Sequence, residues 1–496
     1  MYISRKRKIF FVLILWRLLS VVLVQTAHVP DEYWQSLEVA HKLAFGYGYL
    51  TWEWIAKIRS YIYPFLIFLL YKMLAILQLD CTFTITVLPR LVHAVIAAYG
   101  DYRFYVWTKS KWMTFSLCIN WYWYYCATRT IINSLETSLT IIALSIFPWR
   151  DSAISNSNYV WIIGFMTMAR PTAAIIWMPL CLYHFCTSAE KKFVLFLKFL
   201  TICSICFILS TLLDCYCYGA LVISSWQFFK VNVLQNVGVF YGKEHFFWYL
   251  FPGLPVLLGL YYEMLLIAIY QMYKHFKHFH RETVLLIVVI WTIAVYSFIP
   301  HKEFRFILPL LPKLIYISSS CTSHIIIRSS TFIKKLLIAL LVLSNVVPGI
   351  YLCLIHQRGS LDVMKVMQEE LNYENITDPN ILFLTPCHAT PLYSHLHMNV
   401  TIRFLTCEPN LEGKEFYMDE ADQFFMQPME WLKENYINQN VSNPSHIVTF
   451  DHLIPKISDY LEEYELIAKI FHTYIPQSNY GKHILVYKLK TNENLF

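Results

Sequence analysis

Apolar runs long enough to cross a bilayer follow one another along most of this chain, and no other feature of the sequence restricts its fold as much. They lie near 9–24, 61–79, 83–106, 112–127, 131–148, 159–187, 193–213, 248–270, 283–299, 304–320 and 336–355. An α-helix of about 20 residues spans the hydrocarbon core, and there every backbone N–H and C=O must bond within its own segment. The runs therefore predict an all-α polytopic membrane protein with about 11 transmembrane helices, an odd number. The chain is 57% hydrophobic and 15% charged, with a mean hydropathy of +0.45. Soluble domains are about 45–50% apolar and 25% charged. An ordinary soluble enzyme and a disordered chain are excluded. Aromatic residues make up 17% and suit many water–lipid boundaries.

Charge sets the orientation. Arg5, Lys6, Arg7 and Lys8 precede a first apolar run with no small-residue cleavage site before His28, which predicts a retained helix with a cytoplasmic N-terminus. Three loops that then fall on the cytoplasmic side are basic: Glu190-Lys191-Lys192, Lys274 to Arg281 and Arg328 to Lys335. Arg103, Lys109 and Lys111 fall on the opposite side and disagree. The net charge of +7 is spread over such clusters and forms no continuous stripe, so no nucleic-acid partner is expected.

The first domain is expected over 1–356, with a first lumenal loop at about 26–60. The second, over 357–496, is expected to be a small lumenal α/β domain. It carries short β-rich runs (381–384, 400–405, 446–450, 483–488) and helical stretches at 419–435 and 455–469. Three N-glycosylation patterns, at Asn375, Asn399 and Asn440, all fall in this tail. Cys387 and Cys407 are the tail's only cysteines and are predicted to pair in an oxidising lumen.

Four sets of polar residues stand out. After the first helix comes Pro30-Asp31-Glu32-Tyr33-Trp34-Gln35, then Glu38, His41, Trp52-Glu53-Trp54 and Arg59-Ser60-Tyr61. Carboxylates among aromatic rings suit a sugar, whose C–H faces pack on rings while its hydroxyls need acceptors. A helix start and an interfacial aromatic belt are the bland readings. Trp34, Gln35, Trp52, Glu53 and Arg59 are the candidate acceptor contacts. The second set, His301-Lys302-Glu303-Phe304-Arg305-Phe306, offers three cations for a phosphate, against an internally paired snorkelling belt. Asn133, Glu136 and Arg170 lie inside apolar runs and Arg129 between two of them, where function and interhelical hydrogen bonding both fit. The His-rich loop at 274–281 lacks acidic or Cys partners and reads as a positive-inside loop. No metal is expected, and no nucleotide motif is present.

These blocks resemble the dolichyl-phosphate-mannose-dependent mannosyltransferases of the GT-C superfamily, glycosyltransferase family 22. Pro-Asp-Glu-Tyr-Trp-Gln, Tyr-Gly-Tyr-Leu-Thr-Trp-Glu-Trp, Arg-Ser-Tyr and His-Lys-Glu-Phe-Arg-Phe carry the likeness, with Pro386-Cys387-His388 and Arg403-Phe-Leu-Thr-Cys407 in the tail. Val29 interrupts the His-Pro-Asp-Glu start common in relatives. The first loop looks most like that of members adding the third mannose to the glycosylphosphatidylinositol (GPI) precursor. The resemblance implies a GT-C fold in the endoplasmic reticulum membrane, a lumenal site, dolichyl phosphate mannose as donor, and an α-1,2 linkage formed with inversion. It implies Asp31 as general base with Glu32 beside it, and His301, Lys302 and Arg305 on the donor phosphate with Arg170 assisting. No cofactor beyond the lipid-linked donor is expected. The rivals are a sister enzyme using the same donor on the fourth GPI mannose or an N-glycan, a lipid or solute transporter, and a non-catalytic scaffold.

Overall fold

The first apolar run folds as the helix Arg5–Leu23, and its single internal cation explains how charge survives there. Arg17 Nε donates to Asp101 at 2.7 Å, Trp123 Nε1 donates to the same carboxylate at 2.9 Å, and the guanidinium lies 5.0 Å from the Trp123 ring. Both charges are fully buried, so each supplies the compensation the other needs in an apolar medium.

The computed structural model describes residues 5–150, 157–275, 279–328, 330–374, 378–411, 413–439 and 442–490. It divides into two units. One comprises Met1–Val22, Glu53–Leu66 and Pro89–Ile350, and its described elements are all helices. The other comprises Leu23–Trp52, Ile67–Leu88 and Tyr351–Phe496, so the first loop as far as Trp52 groups with the tail, and its remainder with the helical unit.

Among the described residues, four helices are long and apolar enough to cross a membrane, and five if the pair Tyr249–Leu258 and Tyr261–Lys274, bent by 113°, counts as one span. Four shorter apolar helices add to them: Ile62–Ile76, Ile132–Ile146, Tyr159–Ala169 and Ala173–Thr187. This is a membrane protein, but length and composition give fewer spans than the 11 runs suggest. The run 159–187 is one reason: it breaks at Arg170, whose backbone is extended before Pro171 (φ −146°, ψ 99°). A residue preceding proline is disfavoured in the helical region.

The tail folds around a five-stranded mixed sheet, β1 (Asn380–Leu384), β2 (Thr401–Phe404), β3 (His446–Phe450), β4 (Tyr464–Phe471) and β5 (His483–Leu489), in the order β2-β1-β3-β5-β4. β1 runs parallel to both its neighbours, while β5 runs antiparallel to β3 and β4. Central β3 is buried at every position, whereas edge strand β4 exposes charged residues such as Glu465. β4 corrects one expectation. Residues 464–469 are strand, because the helix Ile454–Leu461 ends early and pairing with β5 overrides the local helical pattern. Leu382, Leu384, Phe424, Leu432, Ile447 and Ile457 form the domain core. Cys387 and Cys407 are joined as a disulfide, with Cα atoms 5.8 Å apart.

Candidate active site

Pro30 opens the first-loop helix. The N–H groups of Tyr33 and Trp34 both donate to its carbonyl, so Asp31 and Glu32 occupy the first turn. Carboxylates are stabilised there by the positive end of the helix dipole. Asp31 is half-buried and Glu32 buried. The next turn, Tyr33–Leu37, is π-helical and runs into the α-helix Glu38–Phe45, which stops at Gly46 with φ +85°. A π turn inside an α-helix is a rare device, frequent at functional sites.

Trp34, Glu38, His41 and Phe45 are four, three and four residues apart, the spacing of one helix face. All four meet the tail. The Trp34 ring lies 4.5 Å from His388 and 5.3 Å from Phe404. Glu38 Oε1 accepts from Leu392 N (2.8 Å), Ser394 N (3.1 Å) and Ser394 Oγ (2.6 Å). His41 Nε2 and His397 Nδ1 are 3.0 Å apart, and Phe45 packs on His397 at 4.7 Å. Burial pushes the Glu38 carboxyl above its usual range, against the hydrogen bonds from Ser394 and Leu392. Burial and the neighbouring His397 push His41 down to about 3. Burial pushes His388 down to about 4, against the pull of Asp31.

The expected acceptor contacts divide. Trp34 and Trp52 are buried, while Gln35, Glu53 and Arg59 are half-buried. Glu53 and Arg59 belong to the helical unit and pair with each other at 2.5 Å. Asp214 holds the residues beside them, accepting from Tyr61 N (2.8 Å), Ser60 Oγ (3.1 Å) and Ser224 Oγ (2.6 Å).

In the same unit the cationic block surrounds Phe306. Arg305, Arg170 and His301 lie 5.5, 5.8 and 5.9 Å from its ring. Glu303 binds Arg305 through two 2.6 Å bonds and His301 through one of 3.0 Å. Burial raises the Glu303 carboxyl's pKa, but Arg305 and His301 outweigh it and hold the group well below the usual carboxylate range. Arg170 is paired with Glu136, and Asn133 Nδ2 donates to the Arg305 carbonyl at 2.9 Å. Lys302 is oriented differently: its ammonium donates to the carbonyls of Ile299 (2.8 Å), Glu244 (3.3 Å) and Pro300 (3.5 Å). Here it ties backbone segments together. The structure thus gathers three of the four donor candidates around one ring and points the fourth at the backbone.

Lys313 and Asp214 escaped the sequence reading, although Lys313 lies inside an apolar run and Asp214 at the edge of one, where a membrane makes charge expensive. Lys313 is fully buried, 3.1 Å from the Pro309 carbonyl. Asn399 is exposed; Asn375 and Asn440 lie outside the described residues, as do residues 276–278 of the His-rich loop. Among the described residues, the only close trio of possible metal ligands is Cys387, His388 and Cys407, and its two sulfurs are bonded to each other.

Residues 8–397 match the Alg9-like mannosyltransferase family. The chain belongs to that family. GPI mannosyltransferase 3 of Drosophila melanogaster is 45% identical over 470 residues, covering 94% of this chain and 83% of the relative. GPI alpha-1,2-mannosyltransferase 3 of Homo sapiens is 40% identical over 485 residues, covering 96% and 85%. Among solved structures, ArnT from Cupriavidus metallidurans bound to undecaprenyl phosphate superposes with a TM-score of 0.60 at 10% identity, covering 98% of each chain. The Archaeoglobus fulgidus oligosaccharyltransferase complex with Zn and sulfate follows at 0.50 and 12%, covering 95% of this chain and 73% of its own. At such identities the likeness is one of fold, the GT-C membrane type.

Proposed function

We propose that this chain transfers mannose from dolichyl phosphate mannose to a GPI precursor, adding the third mannose in α-1,2 linkage. The observation that carries the reading is the near full-length identity to relatives named GPI mannosyltransferase 3. A protein of the same fold solved with a polyprenyl phosphate adds support for a lipid-linked donor. The site lies on the lumenal side of the endoplasmic reticulum membrane, with the N-terminus cytoplasmic and the tail lumenal.

The donor's mannose is β-linked and the product α-linked, so the reaction is a single inverting displacement. The acceptor hydroxyl oxygen attacks the anomeric carbon, its proton passes to Asp31, and the carbon–oxygen bond to phosphate breaks to release dolichyl phosphate. General-base catalysis is worth roughly 10²–10⁴ in rate. Glu32 helps orient the acceptor. Arg305, Arg170 and His301 receive the negative charge that builds on the departing phosphate, the electrostatic term that usually dominates such steps. Monophosphate departure needs no cofactor in this reading.

Cells lacking this chain test the assignment. They should accumulate a GPI precursor with two mannoses, and the wild-type chain should clear it. Accumulation of a three-mannose precursor, or of an N-glycan intermediate, would transfer the chain to a sister activity.

A further inference from the structure

We propose that segment 388–397 of the tail is a positioning element for the acid pair of the first loop, with Glu38 as its principal joint. The inference rests on the reading of Asp31 as base. Asp31 and Glu32 begin the helical stretch that runs to Phe45. With a rise of 1.5 Å per residue, the acids stand about 10 Å from Glu38 along the axis. Any slide or rotation of this helix therefore moves the carboxylates. Contacts along one face restrain both motions: Trp34 against His388, Glu38 on Leu392 and Ser394, and His41 and Phe45 on His397. Tyr33 adds an edge contact with His395 at 5.2 Å. Lys72 Nζ fixes the far end by donating to the Ala44 carbonyl at 2.5 Å.

Stability alone would not favour this design. A buried carboxylate is expensive, and an apolar side chain of similar size would hold the helix at lower cost. Glu38 is fully buried, takes three donors on Oε1, and leaves Oε2 without a hydrogen-bond partner. A carboxylate held on one oxygen by backbone N–H groups two residues apart fixes register in a way that nondirectional packing does not. Misplacing a reacting group by about 1 Å can cost 10²-fold in rate.

The test uses the purified full-length enzyme in nanodiscs, with kcat counted per monodisperse molecule. Glu38→Ala should lower kcat at least tenfold and leave the donor KM within twofold. Glu38→Gln keeps an oxygen in the Oε1 position and should recover to within about threefold of wild type. A purely structural role would reduce the yield of folded protein and leave kcat per molecule intact; that result, or a Glu38→Gln variant as slow as Glu38→Ala, would overturn the proposal. If Glu38→Ala does not fold, Ser394→Ala decides: a drop of about threefold in kcat at unchanged KM supports the proposal, and wild-type kcat overturns it. Asp31→Asn run alongside separates the two readings. An active Asp31→Asn removes the base assignment, whereas an inactive Asp31→Asn beside an unaffected Glu38→Ala removes only the positioning role.

Discussion

The first-loop helix and the block around Phe306 both present charge on a rigid support, but they divide the work differently. In the first loop the acids occupy the opening turn, and the residues that hold the helix, Glu38 and His41, come about two to three turns later. In the cationic block the same six residues supply both the charge and the scaffold: Arg305 and His301 bind Glu303 between them, and Lys302 binds three carbonyls. Separated roles allow chemistry and support to be altered independently. Fused roles mean that one substitution disturbs both, so activity and stability should move together there.

The largest expected effect is in the first region. Asp31→Asn keeps a hydrogen-bonding group at the helix start but removes the proton acceptor. Mannosyl transfer per folded molecule should fall by about 10²–10⁴, with the melting temperature unchanged. Next comes Arg305→Ala, which takes Glu303's bidentate partner away and should lower kcat/KM for the donor by about 10–100-fold, together with the melting temperature. Arg305→Lys should restore only part of either, because an ammonium cannot make the paired fork contact. A full rescue by lysine would erase the distinction drawn between the regions.

Acid should separate them again, with a smaller effect. His41 is buried and His388 half-buried, with values of about 3 and about 4, below the unfolded value of about 6.5. The unfolded chain therefore binds more protons in this window, and their contribution is lost as the pH falls below about 6.5. His397, also lowered by burial, acts in the same direction; Glu38, raised by burial, acts in the opposite one and is outnumbered. Glu303 is held below the usual carboxylate range, so its contribution persists until more acidic pH. Corrected hydrogen-exchange protection should drop over 33–45 and 388–397 between pH 6.5 and 4.5, and hold over 299–306. Equal loss in both would refute the difference. The smallest effect concerns Asn399, which is exposed. Asn399→Gln should remove one glycan by gel mobility and leave transfer unchanged.

Much of this was legible because it is local. Short β-rich runs marked four of the five strands, and two isolated tail cysteines marked a pair. The acid pair and the cationic block were visible as short motifs. What was not legible depends on partners far along the chain. Glu38 meets Ser394 across 356 residues, and Lys302 meets Glu244 across 58. Strand β4 exists because β5 returns beside it. Side-chain chemistry says that a charge must find a partner; only the fold says which one.

The most direct test of the account is transfer by the purified chain from labelled dolichyl phosphate mannose to defined acceptors. The account predicts a new α-1,2 mannoside on the two-mannose GPI precursor and none on the three-mannose precursor or on N-glycan intermediates. Transfer to either of those instead, or a β-configured product, would contradict it.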